Sequence, residues 1–267
     1  MKFMIQGSGG TIGDIFLSSH PVFNHYRREP FEVHVAIPKT VDDSIRDIYR
    51  RHKFLSGIHE LDDIREGITP YCQENGFIPI LFLHAWGSPF YTNVTFNSLD
   101  LWFDKPDEPT VTQNNTIIFH VSSSANFERP KIPFFEHYLN YVIQSGFFPV
   151  FIGTEKDEKS FVTNYPNIRS IIPDELWRFG KDTVQQTMSN ISRSEGCIAF
   201  SSWSSIYAAL CKKPVIEIWN FEQWLFYNNI VKYLIGSPIH MYQNSYMTEP
   251  YNVHETLAYA RQLAMIY

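Results

Sequence analysis

The opening of the chain constrains the fold most. An apolar run at 3–6 enters the glycine-dense turn Gly7-Ser8-Gly9-Gly10-Thr11-Ile12-Gly13, a helical pattern follows over 14–28, and 31–37 (FEVHVAI) alternates as a second strand. That order is β-α-β, which calls for parallel strands joined by a crossover helix. Closely spaced glycines let backbone N–H groups approach a ligand, and the helix that follows favours negative charge at its mouth. The turn is not a dinucleotide fingerprint, because Ile12 stands where G-x-G-x-x-G begun at Gly7 needs glycine, and no Gly-Lys-Ser/Thr follows to make a P-loop. Asp14 lies in the same mouth, where a site built only for phosphate would not place a carboxylate. It is either a helix cap, worth about 0.5–2 kcal/mol, or a catalytic base.

The alternation continues and then restarts. Residues 41–53 have helical spacing through Val41, Ile45, Ile48 and Tyr49, and 77–84 (FIPILFLH) reads as a buried strand despite Pro79. The polar, proline-containing stretch 104–115 (DKPDEPTVTQNN) is the best linker. After it come a strand at 116–121, a helix at 134–145 and a strand at 147–152. A short strand at 168–172, a helix at 183–193, a strand at 197–200, a helix at 204–211 and a strand at 214–219 follow. The expected fold class is α/β: two Rossmann-like lobes facing a cleft, with an N-terminal lobe at 1–108, a second lobe at 109–248 and a C-terminal helix within 249–267. In such sheets ligands sit at the carboxyl ends of the strands.

Composition narrows the classes. With 267 residues, 44% of them hydrophobic, the chain is long enough for two compact halves, and most of its 22 Phe, 15 Tyr and 6 Trp are expected in cores. A net charge of −6 argues against a general nucleic-acid coat protein, although it leaves room for a local basic groove. Cys72, Cys197 and Cys211 have neither disulfide-framework nor zinc spacing, which fits a reducing cytoplasm. No stretch reads as a signal peptide or a transmembrane segment.

Several loops carry candidate chemistry. The segment from His120 to Lys131 (HVSSSANFERPK) follows a strand and combines small hydroxyls with two cations. Ser122, Ser123, Arg129 and Lys131 are candidates for phosphate contact, against the alternative of an ordinary serine-rich turn with Arg129 facing solvent. Ser201, Ser202, Trp203 and Ser204 stand between a strand and a helix, either as a pyrophosphate seat with Trp203 stacking on a base or sugar, or as a plain helix cap. Glu155 is placed to accept ribose hydroxyls or to be part of a solvated charged turn. His20, His84 and His120 lack metal-ligand spacing and read as satisfied core or rim residues.

Together these pieces resemble the ADP-heptose heptosyltransferase family, glycosyltransferase family nine, of GT-B fold. The resemblance rests on Gly13-Asp14-Ile15 with Pro21 beyond, on 117–124, on Arg129 to Pro133, on 147–153, and on Ser201-Ser202-Trp203 ahead of Tyr207-Ala208-Ala209-Leu210 and Lys213-Pro214. Three departures stand out: the family's late-loop Asp is Ser201 here, its Gly is Trp203, and the His within its helix is Ile206. The resemblance implies inverting transfer of a sugar from a nucleotide-diphosphate donor substrate, with no metal and no cofactor. In it, Asp14 is the base toward the acceptor and Gly9, Gly10, Thr11 and Gly13 line the acceptor side. Arg129 or Lys131 neutralises the donor phosphates, and Ser201, Ser202 and Trp203 line the diphosphate. Partners would be a nucleotide sugar and either a cell-envelope glycan or hydroxymethylated bases in DNA, the latter in a viral enzyme working in host cytoplasm. The competing readings are a non-catalytic nucleotide-sugar binding protein and an epimerase or hydrolase on the same scaffold.

Overall fold

A computed structural model describes residues 1–7, 12, 13, 15, 16, 19, 22, 23, 31–80, 99–121, 135–200, 202–219 and 240–244. The chain divides into two compact units, Met1–Lys105 and Pro106–Tyr267. Each is built on its own parallel sheet.

Unit 1 contains β1 (Lys2–Gln6), β2 (Glu32–Pro38), β3 (Leu55–Leu61) and β4 (Ile78–Ile80), in the sheet order β3-β2-β1-β4 with every pair parallel. Ile12, Gly13, Ile15, Phe16, Ser19, Val22 and Phe23 are helical and define α1; α2 is Asp43–Arg50 and α3 is Ile64–Asn75. Strand periodicity sends Met4 and Ile5 to opposite faces. Met4 packs with Ala36, Ile68 and Cys72 under α3, while Ile5 packs with Val22 of α1 and with Val33. The sheet is therefore covered on both sides, as parallel sheets require. Pro79 fits because β4 is an edge strand among the described residues, where a missing ladder donor is tolerated.

Three expectations in this unit need correction. Helicity is already present at Ile12 and Gly13, so Gly13 is a buried helical residue and not part of the turn. The second helix ends at Arg50 because the chain turns into β3, a strand that was not expected. Helix α3 was also missed: Gly67 and Pro70 interrupt its pattern, yet Asp63 caps it by accepting from the amides of Arg65 and Glu66 at 2.8 and 3.2 Å. Gly76, at φ 72°, closes it in the left-handed conformation that glycine adopts without strain.

Unit 2 contains β5 (Thr116–His120), β6 (Phe148–Ile152), β7 (Gly196–Phe200), β8 (Val215–Trp219) and β9 (His240–Asn244), ordered β6-β5-β7-β8-β9 and parallel throughout. Its helices are α4 (Phe135–Gln144), α5 (Glu155–Asn164), α6 (Val184–Arg193) and α7 (Trp203–Leu210). All residues of β5 and β7 are buried, as suits strands covered on both faces. Aromatic rings fill the β5–β6 side of the core: Phe119 stacks on Phe151 at 5.3 Å, Phe135 meets Tyr165 at 4.7 Å, and Trp177 meets Phe151 at 5.1 Å. The expected strand at 168–172 is instead a 3₁₀ turn, Arg169–Ile171, because Ile168, Ile171 and Ile172 do not alternate: Ile168 and Ile172 are buried and Ile171 is exposed. The terminal helix expected after 249 lies outside the described residues. Among the described residues no helix is long and apolar enough to cross a membrane.

The stretch read as a linker is docked rather than loose. Asn190 Oδ1 on α6 accepts from the backbone amides of Thr110 and Val111 at 3.0 and 3.1 Å, and its Nδ2 donates to Thr110 Oγ1 and Asp182 Oδ2, both at 2.9 Å.

Candidate functional site

In unit 2 the chain lays down β5, steps to β6 on one side, and then returns to place β7 on the other side of β5. The sheet order reverses between β5 and β7. Connections leaving neighbouring strands in opposite directions open a crevice at their carboxyl ends, the usual ligand position in open parallel sheets.

Two described segments converge there. His120 ends β5, buried at 6% exposure, and Ser202–Ser204 leave β7 to start α7. His120 Nδ1 lies 2.9 Å from Ser202 Oγ and 2.7 Å from Ser204 Oγ, and the two hydroxyl oxygens are 2.9 Å apart. Ser204 is fully buried, Ser202 is half-buried, and the Trp203 ring stands edge-on to the imidazole at 6.2 Å. Ser202 is the extended N-cap residue of α7 and forms a capping box with Ser205, whose hydroxyl accepts from the Ser202 amide at 3.2 Å and donates to the Ser202 carbonyl at 2.7 Å. The arrangement presents hydroxyls and the positive end of a helix dipole at one place, which is chemistry suited to an anion.

Neighbouring β6 contributes the third carboxyl-end turn. Gly153, at φ 146°, leaves no room for a side chain, since a Cβ would come within 2.9 Å of the Phe179 ring. Thr154 then caps α5: its amide and hydroxyl donate to Asp157 Oδ2, both at 2.7 Å, while its Oγ1 accepts from the Asp157 amide. The acids expected in a charged turn therefore start a helix, with Asp157 used in the cap. Glu155 is exposed in the first turn, and its Cγ occupies the space that a Cβ at Gly180 would take, 2.5 Å away.

In unit 1 the corresponding reversal lies between β1 and β4, and Gly7 directly follows β1. Gly7 itself has a packing reason to be glycine. Its amide donates to Ala36 O at 2.8 Å, and a Cβ there would lie 2.8 Å from Cγ2 of both Val35 and Ile37.

Of the predicted site residues, Ser202, Trp203, Ser204 and Glu155 stand on the carboxyl edge of the second sheet. Asp14, Gly9, Gly10, Thr11, Ser122, Ser123, Arg129, Lys131 and Ser201 lie outside the described residues. His120, expected as a satisfied core or rim residue, is buried and hydrogen-bonded, and it is the one the serines converge on. Its signal was present as the last residue of an otherwise apolar strand, TIIFH, immediately before the serine-rich loop.

No protein-family model matches the sequence. No curated protein matches it either. Likeness to solved structures is high in fold and low in sequence. The glycosyl transferase family 9 protein from Veillonella parvula DSM 2008 superposes with a TM-score of 0.62 at 11% identity, covering 100% of this chain and 97% of that one. The E. coli ADP-heptose LPS heptosyltransferase II gives 0.61 at 12% identity, covering 100% and 99%. The chain has the GT-B-type fold of the heptosyltransferases. E. coli heptosyltransferase WaaC with ADP shares that fold, with a TM-score of 0.58, 9% identity and full coverage of both chains. Ile206 is buried at 8% exposure on α7.

Proposed function

We propose that this protein is a glycosyltransferase that moves a sugar from a nucleoside-diphosphate donor to an acceptor hydroxyl, with inversion and without a metal. The observation that carries the reading is the hydroxyl-lined start of α7 at the sheet reversal, in a chain whose fold is shared with a heptosyltransferase solved with ADP. In the proposed step, the acceptor oxygen bonds to the anomeric carbon as that carbon's bond to the diphosphate oxygen breaks. The bonding pair leaves with the diphosphate, and the acceptor proton passes to the Asp14 carboxylate. Ser201, Ser202, Ser204 and the α7 amides, with Ser122, Ser123, Arg129 and Lys131, offset the charge that develops on the leaving group. Glu155 takes ribose hydroxyls and Trp203 the base or sugar, while Gly9, Gly10 and Thr11 line the acceptor side. The acceptor is a cell-envelope glycan or a hydroxymethylated base in DNA, and the reaction belongs in the cytoplasm, in keeping with Cys72, Cys197 and Cys211 being outside any disulfide.

A second reading, nucleotide-sugar binding without transfer, is favoured by one feature: apolar Ile206 on α7 in place of the family's histidine. The two separate in one experiment. A thermal-shift screen against ADP, UDP, GDP, CDP and their sugars identifies the donor, because selective ligands raise stability by mass action. Transfer to lipid-linked glycan or hydroxymethylated DNA is then followed with wild type and Asp14→Asn. The variant is expected to bind donor normally and to lose about 10²- to 10⁴-fold in kcat. Donor binding with no transfer to any acceptor favours the binding-only reading, and an unchanged kcat refutes Asp14 as base.

A further inference from the structure

We propose that His120 is a positioning residue for the diphosphate seat, setting the direction of a two-hydroxyl relay so that Ser202 presents a proton, not a lone pair, to the donor phosphate. This inference rests on the reading of the seat given above.

The geometry is a closed triangle. Nδ1 lies 2.7 Å from Ser204 Oγ and 2.9 Å from Ser202 Oγ, and the hydroxyls are 2.9 Å apart. Each hydroxyl brings one proton and the imidazole nitrogen brings either a proton or a lone pair. If Nδ1 is bare, the triangle holds only two protons for its three short contacts, and filling two of them, as when Ser204 donates to Nδ1 and Ser202 to Ser204, consumes both hydroxyl protons inside it. Ser202 then faces outward with an oxygen lone pair, which repels a phosphate. If Nδ1 carries the proton, every bond reverses: Nδ1–H donates to Ser204, Ser204 donates to Ser202, and the Ser202 proton is released outward.

Burial decides which hydroxyl does which job. Ser204 is fully buried and can only pass a hydrogen bond along, whereas half-buried Ser202 can meet a ligand. In the outward arrangement Ser202 Oγ accepts from Ser204 and from the α7 capping box and donates once, so its tetrahedral valence is complete. A bond to an ionised acceptor is roughly twice as strong as one between neutral groups, so a bound diphosphate selects this direction. The Trp203 ring stands edge-on to the imidazole at 6.2 Å.

The test uses the full chain with inorganic pyrophosphate and with ADP, UDP, GDP and CDP. Nitrogen-15 NMR of the wild-type complex is expected to place a proton on His120 Nδ1. Calorimetric titration should show Ser202→Ala, Ser204→Ala and His120→Phe each losing about 10- to 100-fold in diphosphate affinity, the worth of one hydrogen bond to a charged group. His120→Asn, whose amide nitrogen can stand near the Nδ1 position, should stay within about threefold of wild type. A bare Nδ1 in the complex, or an unchanged affinity in Ser204→Ala, overturns the relay while leaving the seat intact. Wild-type protein that binds none of these ligands overturns the seat, and the relay falls with it. Should His120→Phe not fold, the wild-type NMR spectrum and Ser204→Ala still decide.

Discussion

At the scale of single residues, the two described histidines that end or follow structural elements show how context sets what one side-chain type does. His120 meets the Ser202 and Ser204 hydroxyls at the carboxyl end of β5. His52, by contrast, is enclosed by Tyr49, Phe54, Trp102 and Phe103, with ring centroids 5.3 to 5.8 Å away. Its Nδ1 donates to Ile48 O at 2.8 Å, and its buried Nε2 has no hydrogen-bond partner among the described residues. Burial in this aromatic surround penalises the imidazolium and pushes the His52 pKa down from 6.5 to about 4. The folded state therefore holds His52 neutral while the unfolded chain protonates near 6.5. Its contribution is fully present above about pH 6.5 and is lost as pH falls toward about 4, by roughly 3 kcal/mol across that window. Urea unfolding at a series of pH values should show this slope in wild type and a shallower one in His52→Phe. Equal slopes in the two proteins refute the assignment.

At the scale of elements, helix α6 does more than cover its sheet. Asn190 satisfies two backbone amides of the incoming chain with one oxygen and links them through its amide to Asp182, which is itself paired with Arg178. Removing it strands the buried Val111 amide and the Thr110 amide together. Asn190→Ala is expected to cost about 1–3 kcal/mol in urea unfolding. Asn190→Asp should lose more at neutral pH, by setting a carboxylate against Asp182, and should recover part of the loss on acidification. Elements of this kind explain what could be read in advance. Strands β1, β2, β5, β6, β7 and β8 announce themselves as apolar runs bounded by turns, and α4, α6 and α7 as helical spacing. Strand β3 (LSGIHEL) and helix α3 did not, because a glycine breaks the first pattern and Gly67 with Pro70 break the second; tertiary packing of Ile68 and Cys72 overrides the local preference. The close glycine spacing suggests a ligand-facing turn, yet a side chain at Gly7 would first meet the Val35 and Ile37 side chains of β2. The serine-rich junction between β7 and α7 is legible because a strand, a hydroxyl cluster and a helix follow in immediate succession. His120 is not, since 82 positions separate it from Ser202 and only the sheet order brings them together.

At the scale of the whole molecule, the chain holds two parallel sheets of different order, each with its own covered faces, and each reverses direction beside the strand that opens it. A ligand seated at one reversal stabilises the elements around that point first. At a hundred times its Kd, mass action adds about 2.7 kcal/mol to whatever opening the ligand blocks. Amide hydrogen exchange reads this element by element, because local openings cost less than global unfolding and report separately. With a bound nucleoside diphosphate, the amides of Phe119, His120, Phe200 and the first turn of α7 are expected to slow most, those of β9 less, and those of β2 and β3 least. Helix α6 supplies a control, since its clamp on Thr110 and Val111 meets β5 near its amino end, away from the proposed seat. Protection concentrated in β2 and β3, with α7 unchanged, contradicts a diphosphate seat in unit 2 even if the ligand binds tightly.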